Sequence, residues 1–409
     1  MKRGPIILSL ILSYIIFSLL LNSVGTVILQ VIHHYGVSKP QAGILEGYKD
    51  LPIALVSFFF ASFLPRLGYI KALQSGLILT MLACVCMPLF PSFFTTKLMF
   101  LAVGISFALV KISVYTIVGL IAKDKNQHAS LLNMLEGFFM LGLLLGYWLF
   151  SLFINETATI NHHWLNVYWW ISVLCLINIL LLSCIKIENE APAASASLSE
   201  DFHSMLKLIL KPMIFIFILS SFLYVLLEQS IGTWLPTFNN EILQFSKTMS
   251  VQAASIFALS LVLGRFLTSI LLQKIDWYTL LVSSLIAMSL LIVLTLPFTY
   301  QVSASETLSS WRDAPAVAFL LPMIGLFMAP IYPAINSVML SALPKTKHAA
   351  MTGLILFFSA LGGTTGSMIT GNLFAVFGGR HAFYVLLIPL FLLFFSFYRF
   401  RYLSERQFC

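Results

Sequence analysis

Twelve times along the chain a run of mostly apolar residues recurs, each about as long as the 20 residues an α-helix needs to cross the hydrocarbon core of a bilayer. The runs cover residues 6–32, 41–64, 72–91, 97–122, 131–154, 165–185, 211–238, 251–272, 277–298, 315–341, 350–376 and 382–400. In lipid every backbone N–H and C=O must be bonded within the protein, so runs of this kind fold as helices. The remaining composition agrees: 9% of residues are charged, against about 25% in an ordinary soluble chain. A water-soluble surface cannot be built from so few charges, which excludes soluble enzymes and nucleic-acid binders. The first run is long and closely followed by others, so it reads as an uncleaved first helix and not as a signal peptide.

The basic residues are placed by side. With both ends in the cytoplasm, fifteen of the 23 Lys and Arg fall on the inner side, including Lys71, Lys123, Lys186, Lys274, Lys345 and Arg399. Five fall outside (Lys39, Lys97, Lys247, Arg312 and Arg380) and three within the runs. By the positive-inside rule this predicts cytoplasmic termini and a cytoplasmic, bacterial inner-membrane type of location. It also accounts for the net charge of +8 without a nucleic-acid partner. Residues 186–210, with Ala191–Ser199 between acidic residues, read as a polar cytoplasmic linker. The expected organisation is an amino-terminal six-helix bundle over 1–185, the linker at 186–210, and a carboxy-terminal six-helix bundle over 211–409. Six plus six helices about one inner linker is the plan of a transporter made of two pseudo-symmetric halves.

Motifs for other chemistries do not emerge. The five cysteines are scattered, with Cys84 and Cys86 on different faces of one helix, so neither a disulfide framework nor a zinc site is expected. The pairs His33-His34 and His162-His163 sit at span ends and point to different sides, so no metal site is expected. Asn155-Glu156-Thr157 fits a glycosylation sequon. Trp164, Tyr168, Trp169 and Trp170 are expected in an interfacial aromatic belt. No phosphate-cradling loop or catalytic triad is visible, so no enzyme and no cofactor are expected.

An ionisable side chain at the centre of a spanning helix costs about 2.5–3.5 kcal/mol on insertion scales, so each one needs a reason. Seven lie away from the ends of the runs: Glu46, Lys49, Asp50, Lys111, Glu136, Glu228 and Arg265. Spacings of three and four put Glu46 on one helical face with Lys49 and Asp50. At about 1.5 Å per residue Asp50 lies roughly 13 Å deep. Lys111 is similarly deep, with Tyr115 one turn beyond, and a carboxylate beside Lys111 is expected to offset its cost. Glu228, with Gln229 adjacent and Trp234 toward the surface, is expected to line a cavity. Glu46, Lys49, Asp50, Lys111, Tyr115, Glu228, Gln229 and Trp234 are thus the residues expected at a proton-coupling and substrate cavity. Structural ion pairing is the alternative reading of the second-span cluster. Glu136 and Arg265, each near the inner end of its helix, are expected to form a cytoplasmic gate between the halves; separate local contacts are the alternative.

Four stretches carry a resemblance to a known family. Arg66-Leu67-Gly68-Tyr69-Ile70-Lys71 is similar to the basic turn of the major facilitator superfamily, with Pro65 where that turn has an acidic residue. The seventh span, Tyr224 to Pro236, resembles that of the fucose/glucose–galactose proton symporters. Gly264-Arg265-Phe266, Gly325-Leu326-Phe327 and, in the fifth span, Leu132-Asn133 followed by Gly142 and Gly146 resemble the same family. The resemblance implies the major facilitator fold and proton-coupled uptake of sugars. It also exposes departures. Gly25 and Thr26 replace a polar pair, Glu136 and Phe139 replace amides, and Met328 and Ala329 replace more polar residues. Sugar hydroxyls need groups that both donate and accept, which amides supply, and several of these positions are apolar or charged here.

The function expected from this reading is proton-coupled secondary active transport of a small polar solute, sugar-like or charged, by alternating access. The partners are the solute, protons and the bilayer, and a monomer suffices. A proton-antiport exporter of amphipathic compounds and a non-transporting receptor or assembly subunit are the alternatives. Because Lys49 and Lys111 stand where the symporters present neutral groups, a substrate with an ionised group is expected. A neutral sugar between mutually neutralised charges is the competing reading.

Overall fold

A computed structural model of the chain describes residues 3–60, 68–122, 125–156, 162–185, 209–302, 307–341, 343 and 348–408. The linker as far as residue 208, Arg66 and Leu67 of the basic turn, Thr157 of the sequon, and Lys123, Lys345 and Lys347 lie outside the described residues. The helices of the first part are α1 (Arg3–Leu21), α2 (Val24–Tyr35), α3 (Lys39–Gly43), α4 (Leu45–Phe60), α5 (Tyr69–Leu89), α6 (Phe93–Ile121), α7 (Lys125–Ser151) and α8 (Val167–Ser183). Then follow α9 (Pro212–Glu241), α10 (Lys247–Leu271), α11 (Trp277–Thr295), α12 (Val317–Leu320), α13 (Ile324–Met328), α14 (Ile331–Ser341), α15 (His348–Val385) and α16 (Leu387–Phe408). Several start on a side-chain cap that satisfies a free N–H of the first turn. Ser92 accepts from Thr95 N at 3.0 Å before α6, Ser246 from Met249 N at 3.2 Å before α10, and Asp276 from Tyr278 N at 3.1 Å before α11.

Among the described residues, ten stretches are long and apolar enough to cross a membrane. The last, Met351–Leu403, has 53 residues, about 80 Å of helix at 1.5 Å per residue, enough for two crossings of a 30 Å core. It is divided at Gly378, whose φ of 77° is a conformation that side chains with a Cβ rarely adopt. The sixteen residues of α4 are the described part of the second run. Counting both, the chain is an all-α membrane protein of twelve transmembrane helices.

Two predicted spans are not single helices. The first, expected unbroken over 6–32, stops at Leu21 and restarts at Val24. Asn22 Nδ2 donates to Ser18 O and Ser23 Oγ to Leu20 O, both at 2.8 Å, so side chains compete with the backbone for the carbonyls of the preceding turn. The tenth, expected over 315–341, runs as α12, a 3₁₀ turn at Leu321–Met323, α13 and α14. Pro322, Pro330 and Pro333 each lack the N–H an unbroken ladder needs. The aromatic belt is also corrected: Trp169 and Trp170 are exposed, but Trp164 and Tyr168 are core residues. Tyr168 packs edge-on to Phe150, and Trp164 stacks on His34.

The chain divides into two compact units. One comprises Met1–Val37 with Tyr48–Leu198; the other comprises Ser38–Gly47 with Ser199–Cys409. In the first unit α1 packs on α7 and α8, and α5 on α6 and α8. At Gly104 the backbone of Lys49 comes so close that a Cβ would collide with its carbonyl. In the second unit α9 packs along α15 and α16, α10 on α13, and α3 on α15. Gly362 and Gly366 of α15 face the carbonyls of Phe222 and Leu226 on α9, the same four-residue step on both helices. Small residues at such a seam let two backbones approach where no hydrophobic effect drives helices together.

Candidate functional site

In the first unit the break between α1 and α2 creates a polar spot. Interrupting the helix leaves carbonyls at its end without an intrahelical donor. Lys49, from α4, donates its ammonium to one of them, Leu21 O, at 3.3 Å. The same nitrogen lies 3.4 Å from Asp50 Oδ1, and both side chains are largely buried, at 6% and 14% exposure. Neighbouring residues of one helix thus form an ion pair that also caps another helix.

Farther along the same unit, Tyr115 of α6 donates its hydroxyl to Glu136 Oε1 of α7 at 3.0 Å. The sequence reading had put Tyr115 at the cavity and Glu136 at the gate, and the fold brings them together. Tyr14 of α1 is buried, with its hydroxyl beside that of Tyr115. One turn before Tyr115, the half-buried Lys111 places its ammonium 5.7 Å from the centre of the Phe107 ring. The carboxylate expected beside Lys111 is missing: among the described residues none forms an ion pair with it. Asp50 is instead taken by Lys49.

In the second unit Glu46 is wholly buried. Thr233 of α9 donates to Glu46 Oε2 at 3.2 Å and lies at the same 3.2 Å from Gln229 Oε1, one turn earlier on its own helix. Tyr224 donates to Glu228 Oε1 at 3.1 Å, again across four residues of α9. Its ring stacks on that of Tyr332 at 5.6 Å, and the Tyr332 hydroxyl meets Ser359 Oγ at 3.2 Å. Arg265 of α10 is exposed and acts electrostatically on Tyr224. Trp234 is fully buried, with its indole N–H on Ser367 O at 2.9 Å and its ring against Phe374, so in this structure it belongs to the seam between α9 and α15. Lys39 and Glu241 form a partly exposed ion pair at 2.8 Å.

Thr233, Tyr224, Tyr332 and Tyr14 were not singled out from the sequence. Two of them carried a signal: Thr233 follows Gln229 by four residues and Tyr224 precedes Glu228 by four, the spacing at which side chains on a helix meet. Tyr14 and Tyr332 reach their neighbours across helices, which spacing does not reveal.

Ionisable groups seated against specific partners inside membrane-crossing helices are characteristic of membrane transport proteins, which use them along substrate and proton pathways. The family model of the Major Facilitator Superfamily matches residues 8–311, and the chain belongs to that superfamily. Its fold is the superfamily's, twelve helices in two pseudo-symmetric six-helix bundles. Among solved structures it is similar to a bacterial homologue of the human lysosomal transporter Spinster, inward-facing and unoccupied, with a TM-score of 0.74 at 15% identity over 99% of this chain and 97% of that one. It is also similar to a D-xylose–proton symporter, with a TM-score of 0.73 at 14% identity over 97% of each chain. The transporter FucP in its outward conformation matches with a TM-score of 0.62 at 15% identity over 97% of this chain and 99% of that one. No curated relative matches at the level of sequence.

Proposed function

We propose that the protein is a proton-coupled secondary active transporter of a small polar solute, working by alternating access of the two bundles in a bacterial cytoplasmic membrane with both termini inside. The observation that carries this reading is the wholly buried carboxylate of Glu46 held against the Thr233 hydroxyl. A carboxyl group in that place can take up a proton and release it when the surrounding helices rearrange, which is what coupling requires. Asp50 and Glu228 are the other carboxylates for this step, each already tied to a neighbour that can register its charge: Lys49 and Tyr224. The similarity of the fold to a xylose–proton symporter supports proton coupling. Glu136 and Arg265 are proposed as residues of the cytoplasmic gate. Lys49, Lys111, Tyr115 and Gln229 are proposed as substrate-facing residues.

The reading is tested in liposomes containing the purified protein, loaded with a panel of labelled sugars, organic acids, amino acids and nucleosides on the outside. An inward proton gradient should drive one class of solute above equilibrium, and an uncoupler should abolish the accumulation. Exchange of solute with no response to the gradient would leave a facilitator, and no movement of any solute would leave a receptor or assembly subunit.

A further inference from the structure

Among the described residues Lys111 has neither ion pair nor hydrogen bond. It differs in this from Lys49, which is tied to Asp50 and a carbonyl, and from Lys39, which is tied to Glu241. Yet it stands well inside α6, a 29-residue membrane-crossing helix, where an ammonium without a counter-charge is expensive. Its surroundings are aromatic. The Phe107 ring beneath the ammonium contacts Phe17 at 5.7 Å and Phe139 at 6.0 Å, and Tyr14 meets Phe139 edge-on at 6.0 Å. Two hydroxyls complete the patch. That of Tyr115 is committed to Glu136, and that of Tyr14 is buried beside it.

Resting on the transporter reading above, we propose that this patch of the first unit binds the substrate and that the substrate is a small monocarboxylate with a flat, apolar body. The carboxylate supplies the counter-charge that Lys111 lacks. The flat body lies against the accessible aromatic rings beside it, exposed Tyr115 and part-buried Phe139, where a ring presents its edge or face without unsatisfied polar groups. A sugar is a poor fit for the same reason: its hydroxyls would give up water for aromatic rings. Glu136, one hydrogen bond from Tyr115, sets an upper limit on charge. A second carboxylate on the ligand would face it at close range, so a monoanion is selected over a dianion.

Direct binding to the full-length protein in lipid nanodiscs, measured by calorimetry, decides the matter with four probes: benzoate, its neutral analogue benzyl alcohol, the dianion phthalate, and D-xylose. The expected order is benzoate tightest by about tenfold or more, as for a charge-assisted contact. Lys111→Gln should abolish that advantage and Lys111→Arg should keep most of it; the Arg variant and the four-probe comparison on the unmodified protein remain decisive if the Gln variant is not recovered folded. Equal binding of benzoate and benzyl alcohol, or benzoate binding indifferent to Lys111→Gln, would overturn the proposal. The transporter reading has a separate readout. If D-xylose or another neutral solute is accumulated in response to a proton gradient by both the unmodified protein and Lys111→Gln, the anion site falls and transport stands. If benzoate binds through Lys111 but no solute moves, the site stands and transport falls.

Discussion

Thr233 stands between two oxygen acceptors, Glu46 Oε2 and Gln229 Oε1, each 3.2 Å from its hydroxyl oxygen. A hydroxyl has one hydrogen to give and two lone pairs to receive. With a proton on Glu46, that carboxyl donates to Thr233 and Thr233 donates to Gln229, so every group in the chain is satisfied. With Glu46 ionised, Thr233 turns its hydrogen toward the carboxylate and the Gln229 amide must reorient. A change of charge on Glu46 is thereby written into the side chains of α9.

Glu46→Gln should therefore fold normally, because an amide oxygen can accept from Thr233 as the carboxylate does, and should lose accumulation against a gradient while keeping solute exchange. Thr233→Val should shift the pH at which uptake is half-maximal, and Thr233→Ser should restore it. Both are read from initial uptake rates in liposomes across pH 5 to 8. Accumulation by Glu46→Gln equal to that of the unmodified protein would remove Glu46 from the coupling step.

The pair Lys49–Asp50 predicts a different pattern. Asp50→Asn removes the charge that holds Lys49 but leaves the ammonium on Leu21 O, so it should cost about 2 kcal/mol, somewhat less than breaking a fully buried pair. Replacing both residues, Lys49→Met with Asp50→Leu, should recover most of that loss, since neither charge is then stranded. Thermal unfolding in detergent gives the comparison. A double variant less stable than Asp50→Asn alone would show that Lys49 is needed for its bond to the α1 terminus and not for the ion pair.

Periodicity and length made the helices legible, because a membrane leaves a chain few other conformations. The breaks were less so. Asn22-Ser23 interrupts the first span through two short side chains that act on carbonyls behind them, and the apolar run continues past it unchanged. At the site, charges inside spans were conspicuous in an apolar background, and six of the seven were met in the structure by a polar or charged neighbour, Lys111 only by the Phe107 ring. Their partners were legible only within a helix, as for Tyr224 with Glu228 four residues on; the adjacent pair Lys49–Asp50 is not what spacing suggests. The contacts of Glu46 with Thr233 and of Tyr115 with Glu136 depend on which helices pack, which the order of residues does not state. The same ignorance produced the carboxylate expected beside Lys111.

Two glycines should respond oppositely to the same substitution. A Cβ at Gly366 would drive into the Leu226 backbone, so Gly366→Ala should destabilise by about 1–3 kcal/mol by separating α9 from α15. A Cβ at Gly137, in α7, meets nothing, so Gly137→Ala should stabilise by about 0.5–1 kcal/mol through helix propensity alone. Midpoints of thermal unfolding, lower for the first and higher for the second, check both. A neutral effect at Gly366 would mean that the two helices can separate at no cost.

Lys111→Met gives the sharpest contrast between stability and function. Removing one member of a buried ion pair strands the other and destabilises the fold, but Lys111 has no such partner among the described residues, so nothing is stranded. What disappears is an ammonium in an apolar helix, a group whose insertion costs about 2.5–3.5 kcal/mol. Methionine keeps the length of the side chain and its contact with Phe107. The variant should therefore unfold about 2–4 °C above the unmodified protein, at a rough 2 °C per kcal/mol with part of the cost already relieved by water at this half-buried position. It should at the same time lose transport, the pattern of a residue kept for its use and at a cost to the fold. A lower unfolding temperature would mean that Lys111 is held by a structural partner after all, and would remove the reason for assigning it a ligand.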